Sequence, residues 1–138
     1  MRIISAADLQ NLPNLRSLNL NDNYIMQLKS ETFQYNELLQ ALYLQTNNIR
    51  QISNGTFNGL ENLFFLDLTN NPIFILPSGL LSSKPKLSNV RFSTLGHGGA
   101  KIGAFRNLTR LKTIFIFGGF INRIKYGIFA NLPSITHL

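Results

Sequence analysis

The side chains that most often carry catalysis or bind metal ions are few in this chain and widely separated. It has two histidines, His97 and His137, which are forty residues apart, six acidic residues and no cysteine. No serine–histidine–aspartate set, carboxylate pair or metal-ligand spacing can be built around either histidine. We therefore predict that the chain is not an enzyme and that it holds neither a metal ion nor another cofactor.

A second set of side chains suits binding rather than catalysis. Asn19, Tyr43, Asp67, Arg91 and Phe115 follow one another at intervals of 24 residues. Tyrosine, phenylalanine and arginine are enriched at the energetically dominant positions of protein interfaces. These five residues share a surface only if the elements that carry them repeat with the same period.

An apolar pattern with this 24-residue period runs through most of the chain. Leucine or a similar residue recurs in the order LxxLxL, and an asparagine follows at Asn23, Asn47 and Asn71. Apolar residues two positions apart point to one side of a short strand. At the turn that follows, an amide satisfies backbone groups that would otherwise be buried without partners. We predict that the three asparagines form a structural ladder between neighbouring strands.

This pattern resembles the 24-residue class of the leucine-rich repeat family, LxxLxLxxNxLxxLxxxxFxxLxx, over nearly the whole chain. Repeats of this class occur in the ectodomains of Toll-like receptors, variable lymphocyte receptors and related animal extracellular proteins. The resemblance implies an α/β fold class, a curved right-handed leucine-rich repeat solenoid. A parallel β-sheet would form its concave face, and irregular or 3-10 segments would form its convex face.

The period divides the chain, as a single domain, into seven parts. A partial repeat 1–14 comes first, followed by repeats 15–38, 39–62, 63–86, 87–110 and 111–134, and by a partial repeat 135–138. Animal extracellular members of the family usually carry cysteine-rich caps, which this chain lacks. Because both ends also fall inside a repeat, we expect the chain to be a piece of a larger protein.

The fourth repeat, 87–110, departs from the pattern. Leu95 replaces the ladder asparagine, His97 replaces the usual isoleucine, and glycines surround the histidine. Glycine permits backbone conformations with positive φ, so we expect a local change in this turn. In related proteins an irregular repeat often marks a change of curvature or a binding site. Drift in a tolerant repeat is the alternative.

In this family the residues between the strand leucines lie on the concave face. We predict that ligand or protein binding there involves Tyr43, Phe65, Asp67, Arg91, Phe115 and Phe117. The period directs these phenylalanines away from the core, and exposed aromatic residues in a row are typical of interfaces. The alternatives are that the rings pack against one another or against a flanking element, and that Asp67 simply pairs with Arg91.

The net charge of +7 is unevenly distributed along the chain. Residues 1–67 carry a net charge of −2, whereas residues 68–138 carry +9 and no acidic residue. This asymmetry is consistent with a polyanionic partner such as a sulfated glycan; the alternative is a solvated basic surface or a face that meets an acidic neighbour. Two sequons, at Asn54 and Asn107, are possible glycosylation sites that lie off the concave sheet by register.

Three functional hypotheses follow. The leading one is a segment of an extracellular or cell-surface receptor or adhesion protein that binds a protein or other macromolecular ligand. The second is a complete intracellular leucine-rich repeat scaffold in the cytoplasm. The third is a polyanion-binding module that uses the basic residues between positions 84 and 125. We predict no direct membrane insertion, because the longest apolar stretch, residues 114–121, is far shorter than the ~20 residues that span a bilayer.

Overall fold

A computed structural model describes residues 1–82, 84–93, 99–118 and 127–138, which form one short helix and a series of short strands. In chain order these elements are α1 (Ala6–Leu9), β1 (Ser17–Asn19), β2 (Gln27–Leu28), β3 (Ala41–Tyr43), β4 (Gln51–Ile52), β5 (Phe65–Leu68), β6 (Ile75–Leu76), β7 (Asn89–Ser93), β8 (Gly99–Ala100) and β9 (Thr113–Phe117). Strands β1, β3, β5, β7 and β9 lie side by side, in that order, in one parallel sheet. Chain order equals spatial order, so each turn of the coil adds a strand beside the previous one. The predicted leucine-rich repeat solenoid is confirmed.

The register of this main sheet has the same period as the sequence. Leu42 aligns with Leu66, Leu66 with Val90, and Val90 with Ile114, always at an offset of 24 residues. Residues at one position of the repeat therefore form a column across the sheet, spaced by about 4.8 Å. A parallel bridge between Thr113 and His137 continues the same offset beyond β9.

The core lies under one face of the main sheet. Leu42, Leu66, Val90 and Ile114 point into it and are at most 1% exposed. Burial of each such side chain contributes about 1.5–3 kcal/mol. This column holds neighbouring repeats together, because each residue packs between its equivalents in the adjacent turns of the coil.

Phenylalanines from the later part of the repeat fill the remaining interior. The rings of Phe33 and Phe57 stack with centroids 6.2 Å apart. Phe105 contacts Phe92 at 5.7 Å and Phe129 at 5.5 Å. Aromatic contacts of this kind thus link successive repeats in both halves of the coil.

The asparagines that follow the strands bond to the backbone of the preceding repeat. Oδ1 of Asn47 accepts a hydrogen bond from the N–H of Ile25 at 3.0 Å, and its Nδ2 donates to the carbonyl of Leu20 at 2.9 Å. Asn71 makes the equivalent bonds one repeat later. Asn23 is only half-buried, and its Oδ1 accepts from the terminal ammonium group of the chain. The ladder therefore has two buried rungs and one at the edge.

Turns and two small sheets complete the coil. β2 pairs with β4 and β6 with β8, and the N–H groups of Gln34 and Asn36 donate to carbonyls three residues earlier, as in a 3-10 turn. Ala100, where the pattern expects leucine or isoleucine, is buried in β8 and aligns with Leu76. Leu95 and His97 of the irregular repeat lie outside the described residues. Within the described ranges, no helix has the length and apolar character needed to cross a membrane.

Candidate ligand-binding face

The face of the main sheet opposite the core, called the open face below, carries the column identified in the sequence. Asn19 aligns with Tyr43, Tyr43 with Asp67, Asp67 with Arg91, and Arg91 with Phe115. Because side chains alternate between the two faces of a strand, residues two positions away on each strand lie on the open face as well. The sheet therefore brings residues from five successive repeats onto one surface.

Five side chains on the open face contact one another in series and form an aromatic–arginine ladder: Tyr43, Phe65, Arg91, Phe115 and Phe117. The Tyr43 and Phe65 rings are 5.2 Å apart, and those of Phe115 and Phe117 are 5.8 Å apart. The guanidinium carbon of Arg91 lies between these pairs, 5.2 Å from the Phe65 centroid and 5.4 Å from that of Phe115. Each cation–π contact contributes about 0.5–1 kcal/mol at an exposed site, so the two rings hold the guanidinium in place.

Part of this ladder is open to solvent. Phe115 is 41% exposed and Phe117 is 47% exposed, whereas Tyr43, Phe65 and Arg91 are half-buried. The phenylalanines therefore pack against each other, as one alternative held, and still present apolar surface. The ladder therefore has a half-buried part, formed by Tyr43, Phe65 and Arg91, and an exposed end, formed by Phe115 and Phe117.

Arg91 has unused hydrogen-bonding capacity. Among the described residues, no side chain or carbonyl accepts a hydrogen bond from it, none forms an ion pair with it, and its Nε is buried without a partner. A guanidinium offers five N–H donors in a planar fork that matches carboxylate and phosphate groups. The fixed position and the unused donors make Arg91 suited to binding an acidic group from outside the chain.

Asp67, one of the residues that we predict to bind a ligand, accepts hydrogen bonds from within the chain. It is 5% exposed, and its Oδ1 accepts hydrogen bonds from the N–H of Thr69 at 2.9 Å and from its hydroxyl at 2.7 Å. Asn19, at the same position of the first repeat, accepts a similar bond from the N–H of Asn21. A side chain that bonds two residues ahead stabilises the turn after its strand. Asp67 therefore holds this turn, and the suggested ion pair with Arg91 does not form.

A groove of about 570 Å³ runs along the edge where the chain enters the main sheet. Three cations line it, Lys86, Arg110 and Lys112, and we call it the basic groove; its other lining residues are Gln40, Asn62, Phe64, Ser88 and Ser134. Lys86 and Arg110 lie three residues before the paired residues Asn89 and Thr113, so they occupy equivalent positions of adjacent repeats.

Three other cations of the basic half, Lys84, Lys101 and Arg106, do not line this groove. Lys84 is buried, with its Nζ 4.0 Å from Oε1 of Glu61. Burial lowers the pKa of Lys84 because its ammonium group loses water, and the negative charge of Glu61 opposes this shift. Lys101 and Arg106 are exposed elsewhere, and Lys125 lies outside the described residues. Lys84, Lys101 and Arg106 therefore belong to the same basic half of the sequence as the groove cations, but they do not share the groove.

His137 and the two sequon asparagines are not among the residues of the ladder or of the groove lining. His137 is exposed, its Nδ1 is 2.9 Å from the Thr136 hydroxyl, and His97 lies outside the described residues. Within the described part of the chain, no three histidine, aspartate or glutamate side chains are close enough to bind a metal ion together. Asn54 and Asn107 are exposed in turns away from the main sheet.

The sequence reasoning did not identify the basic groove as a site. A signal was available, since Lys86 and Arg110 are 24 residues apart and Lys112 follows Arg110 by two. Lys86 and Arg110 precede the strand leucines and lie by register outside the concave strands, whereas Lys112 follows Leu111 and falls by register on the concave face. The solenoid nevertheless places equivalent positions of successive repeats next to each other, whether or not they belong to a strand.

The fold and this repeated surface define a solenoid of the leucine-rich repeat class. Residues 2–73 match the family model described as "Leucine rich repeat", which covers more than half of the chain. The chain therefore belongs to the leucine-rich repeat family. No curated protein sequence matches it significantly.

Two solved structures are similar to this chain. In the crystal structure of a TLR13–ssRNA13 complex, the matching chain is 28% identical with a TM-score of 0.74, and the match covers 86% of this chain and 17% of that one. In the structure of the Drosophila Toll–Spatzle complex, the identity is 19% and the TM-score 0.68, over 99% of this chain and 22% of that one. The second likeness concerns the fold alone. The chain thus corresponds to about a fifth of the length of these two proteins.

Proposed function

We propose that this chain is a ligand-binding segment of an extracellular or cell-surface receptor and that it binds a protein or another macromolecule through the open face of its main sheet. The observation that carries the proposal is the position of Arg91. Two aromatic rings hold its guanidinium, and no described residue accepts its hydrogen bonds. The two rings fix the guanidinium while its donors have no acceptor, so a ligand would find a pre-organised contact.

Each residue of the ladder has a distinct role in this proposal. Arg91 would bind a carboxylate or phosphate group of the ligand in a bidentate manner. Phe115 and Phe117 would bury their exposed surface against apolar groups of the ligand. Tyr43 and Phe65 would support Arg91 from the other side. An interface with an aromatic and arginine centre has the composition of a binding hot spot.

The similar TLR13 structure supports a large ligand rather than a small molecule, because it is a complex with ssRNA13. The ladder also extends along β3, β5, β7 and β9 instead of closing around a cavity. Binding without catalysis and a role in innate immunity are parts of this proposal.

The test compares which molecules the immobilised chain retains from the medium and surface extracts of its source cells. The ladder variant carries Arg91→Gln, Phe115→Ser and Phe117→Ser. A matched control carries Arg50→Gln, Phe74→Ser and Tyr24→Ser, which removes one charge and two exposed rings outside the main sheet.

We expect the ladder variant to retain at least one partner about thirtyfold less than the original chain, because hot-spot residues contribute about 2 kcal/mol or more. The control variant should retain that partner normally. If every retained molecule were bound equally by both variants, or lost equally from both, the open face would not be the binding surface.

A second candidate function, polyanion binding, rests on a separate observation. Lys86, Arg110 and Lys112 share one groove, and among the described residues none of them has a carboxylate partner. This narrows the polyanion hypothesis from the whole basic half to three side chains. A receptor segment could bind both a macromolecule at the ladder and a polyanion at this groove.

A further inference from the structure

We propose that the basic groove is a binding site for a sulfated polysaccharide. Lys86, Arg110 and Lys112 would contact its sulfate groups, and Phe64 would pack against a sugar ring. This inference deepens the second candidate function and is independent of the aromatic–arginine ladder. It rests on the charge, the lining and the size of the groove.

The charges of the groove are not compensated within the described part of the chain. Nζ of Lys86 donates to the neutral Oδ1 of Asn62 at 2.6 Å, and no ion pair involves Lys86, Arg110 or Lys112. The sequence has no acidic residue after Asp67, and that residue is buried. Three neighbouring positive charges repel one another, and a polymer with closely spaced anionic groups would remove that repulsion while releasing its own counterions.

Asn62 holds one of these cations in place. Its Nδ2 donates to the backbone carbonyl of Glu37 at 2.8 Å, while its Oδ1 accepts from Lys86. An amide fixed at its nitrogen can direct the ammonium group into the groove without neutralising it. We therefore assign Asn62 as a positioning residue for Lys86.

The rest of the lining suits a sugar chain better than a nucleic acid. The exposed side chain of Gln40 adds an amide, which matches sugar hydroxyls. Phe64 is 52% exposed and is the one aromatic residue among those that line the groove, so it offers a flat surface for one ring. Sites for single-stranded nucleic acid usually have a series of aromatic rings for successive bases. The volume of about 570 Å³ lies within the range of about 300–1,000 Å³ that is typical of ligand sites.

The test measures the affinity of the chain for a heparin octasaccharide by titration calorimetry at several salt concentrations. The groove variant carries Lys86→Gln, Arg110→Gln and Lys112→Gln. A matched control carries Lys29→Gln, Arg106→Gln and Lys101→Gln, so both variants fall from a net charge of +7 to +4. All six side chains are exposed, and thermal unfolding of each variant checks that the fold is retained.

We expect the groove variant to bind about tenfold or more weakly, while the control changes less than about threefold. The slope of log affinity against log salt should become shallower by about two to three in the groove variant alone, one unit per lost ionic contact. Desulfated octasaccharide should bind neither the groove variant nor the control variant. The substitution Phe64→Ser should weaken binding of heparin without changing the salt slope.

Three results would overturn the inference, and the first two differ in what they mean for the polyanion candidate. If both triple variants lost affinity equally, the binding would reflect diffuse charge, and the polyanion candidate would fail together with the glycan. If the groove bound polyuridylate RNA of equal charge more tightly than heparin, the polyanion candidate would stand and the sulfated polysaccharide would be wrong. The salt slope of the unaltered chain provides a check that needs no variant, since a slope near zero would exclude ionic binding of the octasaccharide.

Discussion

Replacing Asn71 by alanine tests whether the asparagine ladder stabilises the coil. Oδ1 of Asn71 accepts from the buried N–H of Ile49 at 3.0 Å, and its Nδ2 donates to the carbonyls of Leu44 at 2.8 Å and Leu68 at 3.1 Å. In Asn71→Ala the Leu44 carbonyl keeps the hydrogen bond from Asn47, but the Ile49 N–H loses its partner. A buried polar group without a partner costs about 1–3 kcal/mol. The carbonyls of Leu44 and Leu68 also each lose a hydrogen bond from Asn71. For Asn71→Ala we therefore expect the free energy of unfolding to fall by about 3 kcal/mol.

Asn23 provides a matched control within the same chain. It is half-buried, and its Oδ1 accepts from the exposed terminal ammonium group of Met1. The Leu20 carbonyl to which it donates also receives a hydrogen bond from Asn47, so Asn23→Ala leaves that carbonyl partnered. We expect this variant to lose less than about 1 kcal/mol, because the affected groups can bond to water.

The free energy of unfolding would be measured by urea denaturation followed by circular dichroism. Two outcomes would refute the reasoning. One is a change of less than about 0.5 kcal/mol in Asn71→Ala, which is the range of an ordinary surface substitution. The other is an equal loss in both variants, which would mean that asparagine contributes through the turn conformation rather than through buried hydrogen bonds.

Two further predictions concern Lys84 and the sequons. Burial lowers the pKa of Lys84, so the folded chain releases this proton at a lower pH than the unfolded chain does. The free energy of unfolding of the original chain should therefore rise relative to that of Lys84→Met as the pH approaches the usual lysine pKa of about 10.4. Urea denaturation of both proteins across this pH range checks the sign, and a constant difference between them would contradict it. If the protein is extracellular, its mass from the source cells should fall on enzymatic deglycosylation, with glycan mapped to Asn54 or Asn107. Unmodified peptides at both sites would favour the intracellular alternative.

The 24-residue period was sufficient to predict the main sheet and its register. In a solenoid the pairing offset between strands equals the repeat length, so a column of the sequence becomes a column of the structure. The alternation of side chains then assigned Tyr43, Phe65, Arg91 and Phe115 to the open face. The order of the strands follows from the period and the face follows from the alternation, so no long-range contact had to be predicted separately.

The period does not predict which neighbouring groups a side chain on that face contacts. Asp67 and Arg91 align in neighbouring strands, yet the Asp67 carboxylate bonds to Thr69 and the Arg91 guanidinium stacks between two rings. A carboxylate that accepts a hydrogen bond from a residue two positions ahead restrains only a short stretch of chain. An exposed ion pair contributes only about 0–1 kcal/mol to stability. The sequence Asp67-Leu68-Thr69 at the end of β5 carries this information, which is not visible from a comparison of equivalent positions across repeats.

The burial of Asp67 has a consequence for the whole surface. It is the last acidic residue in the chain, so its withdrawal leaves the described surface of the later repeats with cations and no opposing carboxylate side chain. Arg91 lies at the centre of the open face, and Lys86, Arg110 and Lys112 line its entry edge. An acidic ligand would therefore be attracted to this half of the coil whichever of the two sites it occupies. Affinity differences between the ladder and groove variants, rather than charge alone, are what distinguish the two sites.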